Sequence, residues 1–147
     1  MVSRQVKIIV IGTRHEYQRY EPDNDPAMDR VRRDFEAMLL AIIASRHVEL
    51  VAEEAGNNAP QEPMGLQVCR KYQLCRHIDI RPPGGEQMNP PQYEEEMFRR
   101  TAEALGDATI VVVICGGDHV GRLSNRFSDA GFQVESRSFL RRRDTPG

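Results

Sequence analysis

The stretch that decides the fold is TIVVVIC at Thr109–Cys115, followed directly by GGDH at Gly116–His119. A run this rich in β-branched residues and closed by glycine is typical of a buried strand that turns sharply into the next segment. A second run of the same kind, VKIIVI at Val6–Ile11, is closed by Gly12. Strands that are apolar on both faces belong to sheets covered by helices, so these two runs favour a parallel sheet.

Shorter apolar runs and longer amphipathic segments alternate through the rest of the chain. The clearest helix carries apolar residues at three- and four-residue steps from Met28 to Ile43, with Asp25 as its expected N-cap and Pro26 in its first turn. The remaining predicted elements are strands at Val48–Ala52, His77–Ile80 and the start of Phe132–Phe139, and helices at Met64–Tyr72, Tyr93–Leu105 and Asp118–Ala130. This alternation predicts an α/β protein, a three-layer sandwich with a mostly parallel sheet of about five strands.

The composition fits one polar globular domain. The chain has 147 residues, and we expect a single α/β domain over residues 1–140 with a frayed basic tail over residues 141–147. Its 20 Lys and Arg against 22 Asp and Glu give a formal charge of -2, so we expect neither a nucleic-acid nor an anionic-membrane partner. Three cysteines, Cys69, Cys75 and Cys115, and no signal-like segment favour reduced packing thiols in a cytoplasmic protein.

Most of the potential acid–base and metal-binding side chains follow directly after a predicted strand. Ligands of open parallel sheets bind outside the carboxyl ends of the strands, so residues in these positions share one edge of the sheet. They are Arg14 and His15 after the first strand, Glu53 and Glu54 after the second, Asp79 and Arg81 at the third, and Gly116, Gly117, Asp118 and His119 after the fourth. His47 falls on the opposite edge, at the end of a predicted helix.

The element Gly-x-x-His occurs twice at this edge, as Gly12–His15 and as Gly116–His119. Glycine lets the backbone leave the strand sharply, and an imidazole three residues later can point across the sheet edge. With a carboxylate from Glu53 or Glu54, the two imidazoles form a donor set for a divalent metal such as Mn or Zn. Two adjacent carboxylates at the end of a buried strand repel each other, which is a further reason to expect a cation there.

The imidazoles and carboxylates also have structural readings that the sequence leaves open. His15 can be a solvated loop residue, and His119 can lie in the first turn of a helix. Asp118 is a good residue for a helix N-terminus on electrostatic grounds alone. The two glutamates can simply end a hydrated strand.

The arginines and glycines at this edge have two readings each. Arg14 and Arg81 either neutralise the carboxylates or clamp an anionic substrate, or they are solvated surface residues. Gly116 and Gly117 either form a tight turn or, because free backbone N–H groups lead into a helix, bind an anion. The three-glycine dinucleotide pattern and the phosphate-binding Gly-Lys-Ser/Thr sequence do not follow the fourth strand.

The order of these motifs resembles that of a known superfamily. TraB/GumN-type proteins, the Wnt-inactivating TIKI proteins and erythromycin esterases share two Gly-x-x-His motifs and an acidic residue on an α/β core. The matching residues here are Gly12, His15, Glu53 or Glu54, the intervening Asp79, Gly116 and His119. The resemblance implies a metal-assisted hydrolase that attacks an ester or amide bond through metal-activated water. A branch that binds haem iron is similar in outline.

The sequence therefore predicts a metal-dependent hydrolase acting on a small-molecule or peptide substrate. The residues expected to act are, as metal ligands, His15, Glu53 and His119; as general base, Glu54 or Asp118; and, as oxyanion stabilisers, Arg14 or Arg81. The alternative is a non-catalytic module on the same fold that binds a small anion at Gly116 and Gly117, or haem. A third possibility is an interaction protein with an exposed apolar patch.

Overall fold

The structure, a computed structural model, describes residues 5–19, 25–55 and 61–139. In these residues, five strands alternate with four α-helices. The strands are β1 (Lys7–Thr13), β2 (Leu50–Glu53), β3 (Arg76–Asp79), β4 (Ile110–Gly116) and β5 (Gln133–Phe139). The helices are α1 (Pro26–Ser45), α2 (Met64–Tyr72), α3 (Pro90–Ala104) and α4 (Val120–Asp129). The tail predicted over residues 141–147 lies outside the described residues.

The five strands form one sheet in the order β3-β2-β4-β1-β5, and each pair of neighbours is parallel. Helices α1 and α2 cover one face of the sheet, and α3 and α4 cover the other. The predicted three-layer α/β sandwich is therefore confirmed. Every helix in the described part of the chain is too short or too polar to cross a membrane.

The two cores follow from the alternation of side chains along the central strands. On β1, Ile9 and Ile11 pack against α1 and α2, whereas Ile8 and Val10 pack against α3 and α4. All four side chains are fully buried. Because helices cover both faces, a central strand has no polar side, which is why β1 and β4 are continuous apolar runs in the sequence.

Polar caps decide where two of the helices begin. Asp25 caps α1, and its carboxylate accepts hydrogen bonds from two backbone N–H groups of the first turn, as predicted. In α3 the cap is Asn89, which forms a reciprocal capping box with Gln92. The helix consequently begins at Pro90, earlier than the predicted Tyr93. Tyr93 is thus the fourth residue of α3, and its hydroxyl contacts Glu54 directly after β2.

Cys69 and Cys75 form a disulfide that links the end of α2 to the residue before β3. The expectation that all three thiols are reduced is therefore wrong for this pair. The chain turns back after α2 through Gln73, which has a left-handed backbone with φ of 52°, and this turn brings the two cysteines together. Cys115 is free and buried in β4, where burial raises the pKa of its thiol, so it is an unreactive packing residue as predicted.

Candidate functional site

The strand order explains why distant parts of the chain meet at one place. The carboxyl ends of β2, β4 and β1 are neighbours, with β4 in the middle. The chain after β1 continues to α1 on one face of the sheet, whereas the chain after β4 continues to α4 on the other face. Sheets of this kind have their ligand crevice where adjacent strands send their connections to opposite faces. Both Gly-x-x-His elements lie at this point.

Gly116, the last residue of β4, marks the place where three predicted site residues meet. A Cβ atom placed on Gly116 would lie 3.5 Å from His15 Nε2, 3.6 Å from His119 Cδ2 and 3.7 Å from Glu54 Oε1. The distance between His15 Nε2 and His119 Cδ2 therefore cannot exceed the sum of the first two values, about 7.1 Å. The structure brings His15, Glu54 and His119 together around a residue that has no side chain to fill the space between them.

His119 is held by side chains from α3 and from the end of β2. Its Nδ1 lies 2.8 Å from Glu94 Oε2, its Nε2 lies 3.7 Å from Glu54 Oε2, and its ring stacks on Tyr93. Arg122 Nε donates to Glu94 Oε1 over 2.7 Å. Burial opposes the ionisation of Glu94, but the hydrogen bonds from Arg122 and His119 outweigh it and lower the pKa of this carboxyl. A carboxylate thus accepts the Nδ1 proton of His119, and Nε2 is directed toward Glu54.

His15 opens a short 3₁₀ turn directly after β1. Its Nδ1 lies 2.9 Å from Oε1 of Gln18, a side chain that is fully buried. Its Nε2 is the ring atom that lies near Gly116. Like His119, His15 therefore has one nitrogen bound to a neighbouring side chain and the other directed toward the shared space.

The Glu54 carboxylate is fixed at both of its oxygens. Oε1 accepts a hydrogen bond of 2.9 Å from the backbone N–H of Gly116, and Oε2 accepts one from the hydroxyl of Tyr93. Burial, together with the hydrogen bond to Glu54, raises the pKa of Tyr93, so the phenol stays protonated and keeps donating. One of the two predicted anion-binding groups, the Gly116 N–H, thus binds a carboxylate of the chain itself. Gly117 follows it and opens the 3₁₀ turn that contains His119.

Glu53 points away from this group of residues. Strand β2 extends through Glu53, further than the sequence predicts, so the alternation of the strand sends Glu53 and Glu54 to opposite faces. Glu53 Oε1 lies 2.8 Å from His77 Nε2, and Oε2 accepts hydrogen bonds from Gln18 Nε2 and from the N–H of Gly65. Glu53 therefore lies outside the space between His15 and His119. Glu54 is the glutamate that lies beside the two imidazoles.

The other predicted residues lie at the rim of the site. Arg14 is exposed and pairs with a glutamate two residues further along the chain. Arg81 is exposed as well, and its charge partly offsets the rise in the pKa of Tyr93. Asp118 is exposed in the turn that contains His119. Asp79 accepts a hydrogen bond of 2.9 Å from the backbone N–H of Arg81, which fixes the chain at the end of β3.

His15, Glu54 and His119 offer the kinds of atoms that bind a divalent ion. Imidazole nitrogens and carboxylate oxygens are the ligands that Zn and Mn take, and a carboxylate behind a histidine, like Glu94 behind His119, commonly orients a metal ligand. Within residues 5–19, 25–55 and 61–139, however, no three His, Cys, Asp or Glu side chains are already grouped as a metal centre. Binding of an ion therefore requires His15, Glu54 and His119 to move closer together.

Three residues that contact the site are not found by reasoning from the sequence: Gln18, Tyr93 and Glu94. Glu94 does carry a signal, because it precedes Met97 and Phe98 by three and four positions and so lies on the apolar side of α3. A carboxylate in that position needs a buried partner. Tyr93 precedes Met97 by four positions and so lies on the same apolar side, and only its hydroxyl distinguishes it from an ordinary packing residue. Gln18 follows His15 in an irregular segment and offers no pattern.

Comparisons with protein-family models, with curated proteins and with solved structures find no match to this chain. The resemblance to the superfamily of TraB/GumN-type proteins, TIKI proteins and erythromycin esterases therefore depends on the motif residues alone.

Proposed function

We propose that this protein is a metal-dependent hydrolase of ester or amide bonds, and that its site is the space between His15, Glu54 and His119. The strongest support is the arrangement of the two imidazoles. Each has its Nδ1 bound to a side chain and its Nε2 directed toward the same glycine, Gly116, or the carboxylate beside it. Imidazole nitrogens presented in this way serve as metal ligands or as acid–base groups, and hydrolysis draws on both.

The metal ligands in this proposal are the Nε2 atoms of His15 and His119 and the carboxylate of Glu54. A divalent ion such as Zn or Mn supplies a Lewis acid there and lowers the pKa of bound water toward about 7. The chain contributes the orientation of the ligands. Tyr93 and Gly116 each donate one hydrogen bond to Glu54, so its carboxyl group is held at the sheet edge beside the two imidazoles.

The roles of the remaining residues differ in one respect from those expected from the sequence. Glu53 is bound on the other side of β2, so Glu54 takes the ligand role in its place. Asp118, exposed in the turn before α4, stays the candidate general base. Arg14 and Arg81, both exposed at the rim, stay the candidates for stabilising an oxyanion or for binding an anionic part of the small-molecule or peptide substrate.

The test is cleavage of a panel of chromogenic esters and peptide amides in the presence of Zn²⁺ or Mn²⁺. We expect wild type to cleave at least one class, and His15→Ala and His119→Ala, which each lack one proposed metal ligand, to lose at least about 10²-fold in rate. His47→Asn is the matched control, because His47 lies on the opposite edge in a left-handed backbone that asparagine tolerates. Cleavage that is equal in all four proteins, or absent from all, contradicts the proposal.

The alternative from the sequence, a non-catalytic module, predicts different results from the same protein. A Soret band on addition of haem, or binding of inorganic phosphate, without cleavage of any substrate in the panel, would favour it. The N–H of Gly116 is already bound to Glu54, so an anion at that position has to displace a carboxylate of the chain. A cytoplasmic location also stays a proposal from the sequence, and the disulfide between Cys69 and Cys75 counts against it, because the cytosol keeps most thiols reduced.

A further inference from the structure

We propose that Gln18 is a positioning residue that holds His15 in its neutral Nδ1–H tautomer, so that the lone pair of Nε2 faces Gly116 and the site. The consequence for catalysis rests on the proposed function, whereas the tautomer is a property of the protein by itself. The amide of Gln18 is buried, and its two ends have different partners.

The orientation of the Gln18 amide follows from its surroundings. Its Nε2 lies 3.2 Å from the backbone carbonyl oxygen of Glu54 and 3.0 Å from Oε2 of Glu53. A backbone carbonyl can only accept, so this end of the amide must be the NH₂ group. Both of its hydrogens have an acceptor there, and the opposite end is the amide oxygen.

The amide oxygen in turn fixes the proton of His15. Gln18 Oε1 lies 2.9 Å from His15 Nδ1, and this oxygen has no hydrogen to donate. Nδ1 must therefore be the donor. In a neutral imidazole the second nitrogen then carries a lone pair, and that nitrogen, Nε2, is the atom near Gly116.

Glu53 prevents the amide from turning over. It is bound by His77 at one oxygen and by the N–H of Gly65 at the other, the same oxygen that accepts from Gln18. Glu53 and Gln18 are both fully buried. A flipped amide would place its oxygen against the carbonyl of Glu54 and the carboxylate of Glu53, away from solvent that could compensate. Glu53, which the sequence predicts as a metal ligand, thus orients His15 indirectly, by fixing the amide of Gln18.

Removing the amide of Gln18 should release the proton of His15 to Nε2. An Nε2–H group lacks the lone pair that a metal or a proton requires. Partners behind a metal-binding histidine typically change metal affinity or activity by about 10–100-fold. We expect a loss of that size in Gln18→Met, in addition to the change of tautomer.

The test is the ¹⁵N NMR spectrum of the histidine side chains, recorded without metal or substrate at alkaline pH, where imidazoles are neutral. Wild type should show a protonated Nδ1 and an unprotonated Nε2 for His15, with the His15→Ala protein identifying the signals. Gln18→Met, which keeps the length of the side chain and removes the amide, should show a large share of Nε2–H. The matched control is Gln67→Met, because the Gln67 amide donates to the backbone carbonyl of Glu62, just before α2, and contacts no histidine in the hydrogen bonds described for it.

The outcomes separate this proposal from the proposed function. If His15 of the wild-type protein carries its proton on Nε2, the positioning role of Gln18 is wrong. It is also wrong if a folded Gln18→Met protein keeps the proton of His15 on Nδ1. A wild type that shows the Nδ1–H form, lost in Gln18→Met, supports the positioning role even if no substrate is cleaved. In that case only the hydrolase proposal fails.

Discussion

Tyr93 lies almost parallel to His119, with the ring centroids 5.1 Å apart and the ring planes at 14°, and its hydroxyl donates to Glu54. One side chain of α3 thus contacts the imidazole that follows β4 and the carboxylate that follows β2. Because Glu54 is only 3% exposed, the phenol replaces hydrogen bonds that water would otherwise provide. Tyr93 therefore links two parts of the proposed site through ring stacking and through a hydrogen bond.

Tyr93→Phe should separate these two contributions, because it keeps the stacked ring and removes the hydroxyl. We expect the free energy of unfolding to fall by about 1–3 kcal/mol, since a buried carboxylate loses a donor. Urea denaturation at neutral pH measures this change. Tyr72→Phe, at a residue that is 39% exposed, is the matched control and should change stability by less than about 0.5 kcal/mol. Equal stability of the Tyr93 variant and wild type would show that the hydroxyl is not needed.

Gly116→Ala should disturb the site and leave the fold intact. The added methyl meets His15, His119 and Glu54 at 3.5–3.7 Å, which is ordinary contact, and the backbone at φ −60° and ψ 145° suits alanine. We expect stability within about 1 kcal/mol of wild type, but weaker binding of Zn²⁺ or Mn²⁺, because the methyl occupies the shared space. Unfolding by urea and calorimetric titration with the metal measure the two effects.

Gly12→Ala provides the contrast for this prediction. Its added Cβ would lie 2.2 Å from Val120 Cγ2 and 3.2 Å from the backbone of Gly117, so the turn after β4 must shift. We expect a loss of about 1–3 kcal/mol in the free energy of unfolding, as is usual for overpacking. If Gly116→Ala is the less stable protein of the two, or binds the metal as well as wild type does, the space around Gly116 is not as described.

Glu135 should make stability depend on acid pH. Hydrogen bonds from Arg137 and Arg46, and a weaker one from Lys7, outweigh burial and lower the pKa of its carboxyl to about 2. A group whose pKa is lower in the folded state stabilises the fold above its unfolded value, about 4.3, and loses this contribution as the pH falls toward the folded value. We therefore expect Glu135→Gln to be less stable by roughly 1 kcal/mol at neutral pH.

The difference between wild type and Glu135→Gln should shrink as the pH falls from about 4.3 to 2. Thermal or urea unfolding across this range measures it. A difference that stays constant throughout the range would show that the ion pairs of Glu135 do not stabilise the fold. Glu16→Gln is a suitable control. Glu16 is exposed, and the contact described for its carboxylate is with Arg14, which is exposed as well.

The sequence was sufficient to predict the fold class and the position of the two Gly-x-x-His elements at one edge of the sheet, for a physical reason. The carboxyl ends of parallel strands share one edge, so His15 and His119 are assigned to that edge as soon as β1 and β4 are recognised. Their adjacency depends on the strand order, which no local pattern encodes.

The choice between Glu53 and Glu54 could not be made from the sequence. It depends on where β2 ends, because the alternation of one further strand residue sends the two carboxylates to opposite faces. Gln18 was missed because it follows His15 in an irregular segment without a pattern, and Tyr93 was missed because its contact joins segments that are far apart in the chain. The hydrogen bond from Tyr93 to Glu54, for example, spans 39 residues.

The most direct test of the account is a crystal structure of the protein grown with Zn²⁺, with the ion located by its anomalous scattering. The account predicts one ion between β1 and β4, with His15 Nε2 and His119 Nε2 each at about 2.0–2.1 Å and a carboxylate oxygen of Glu54 at a similar distance. An ion bound elsewhere, or a structure in which the two imidazoles face different surfaces with Gln18 and Glu94 released from them, would contradict it.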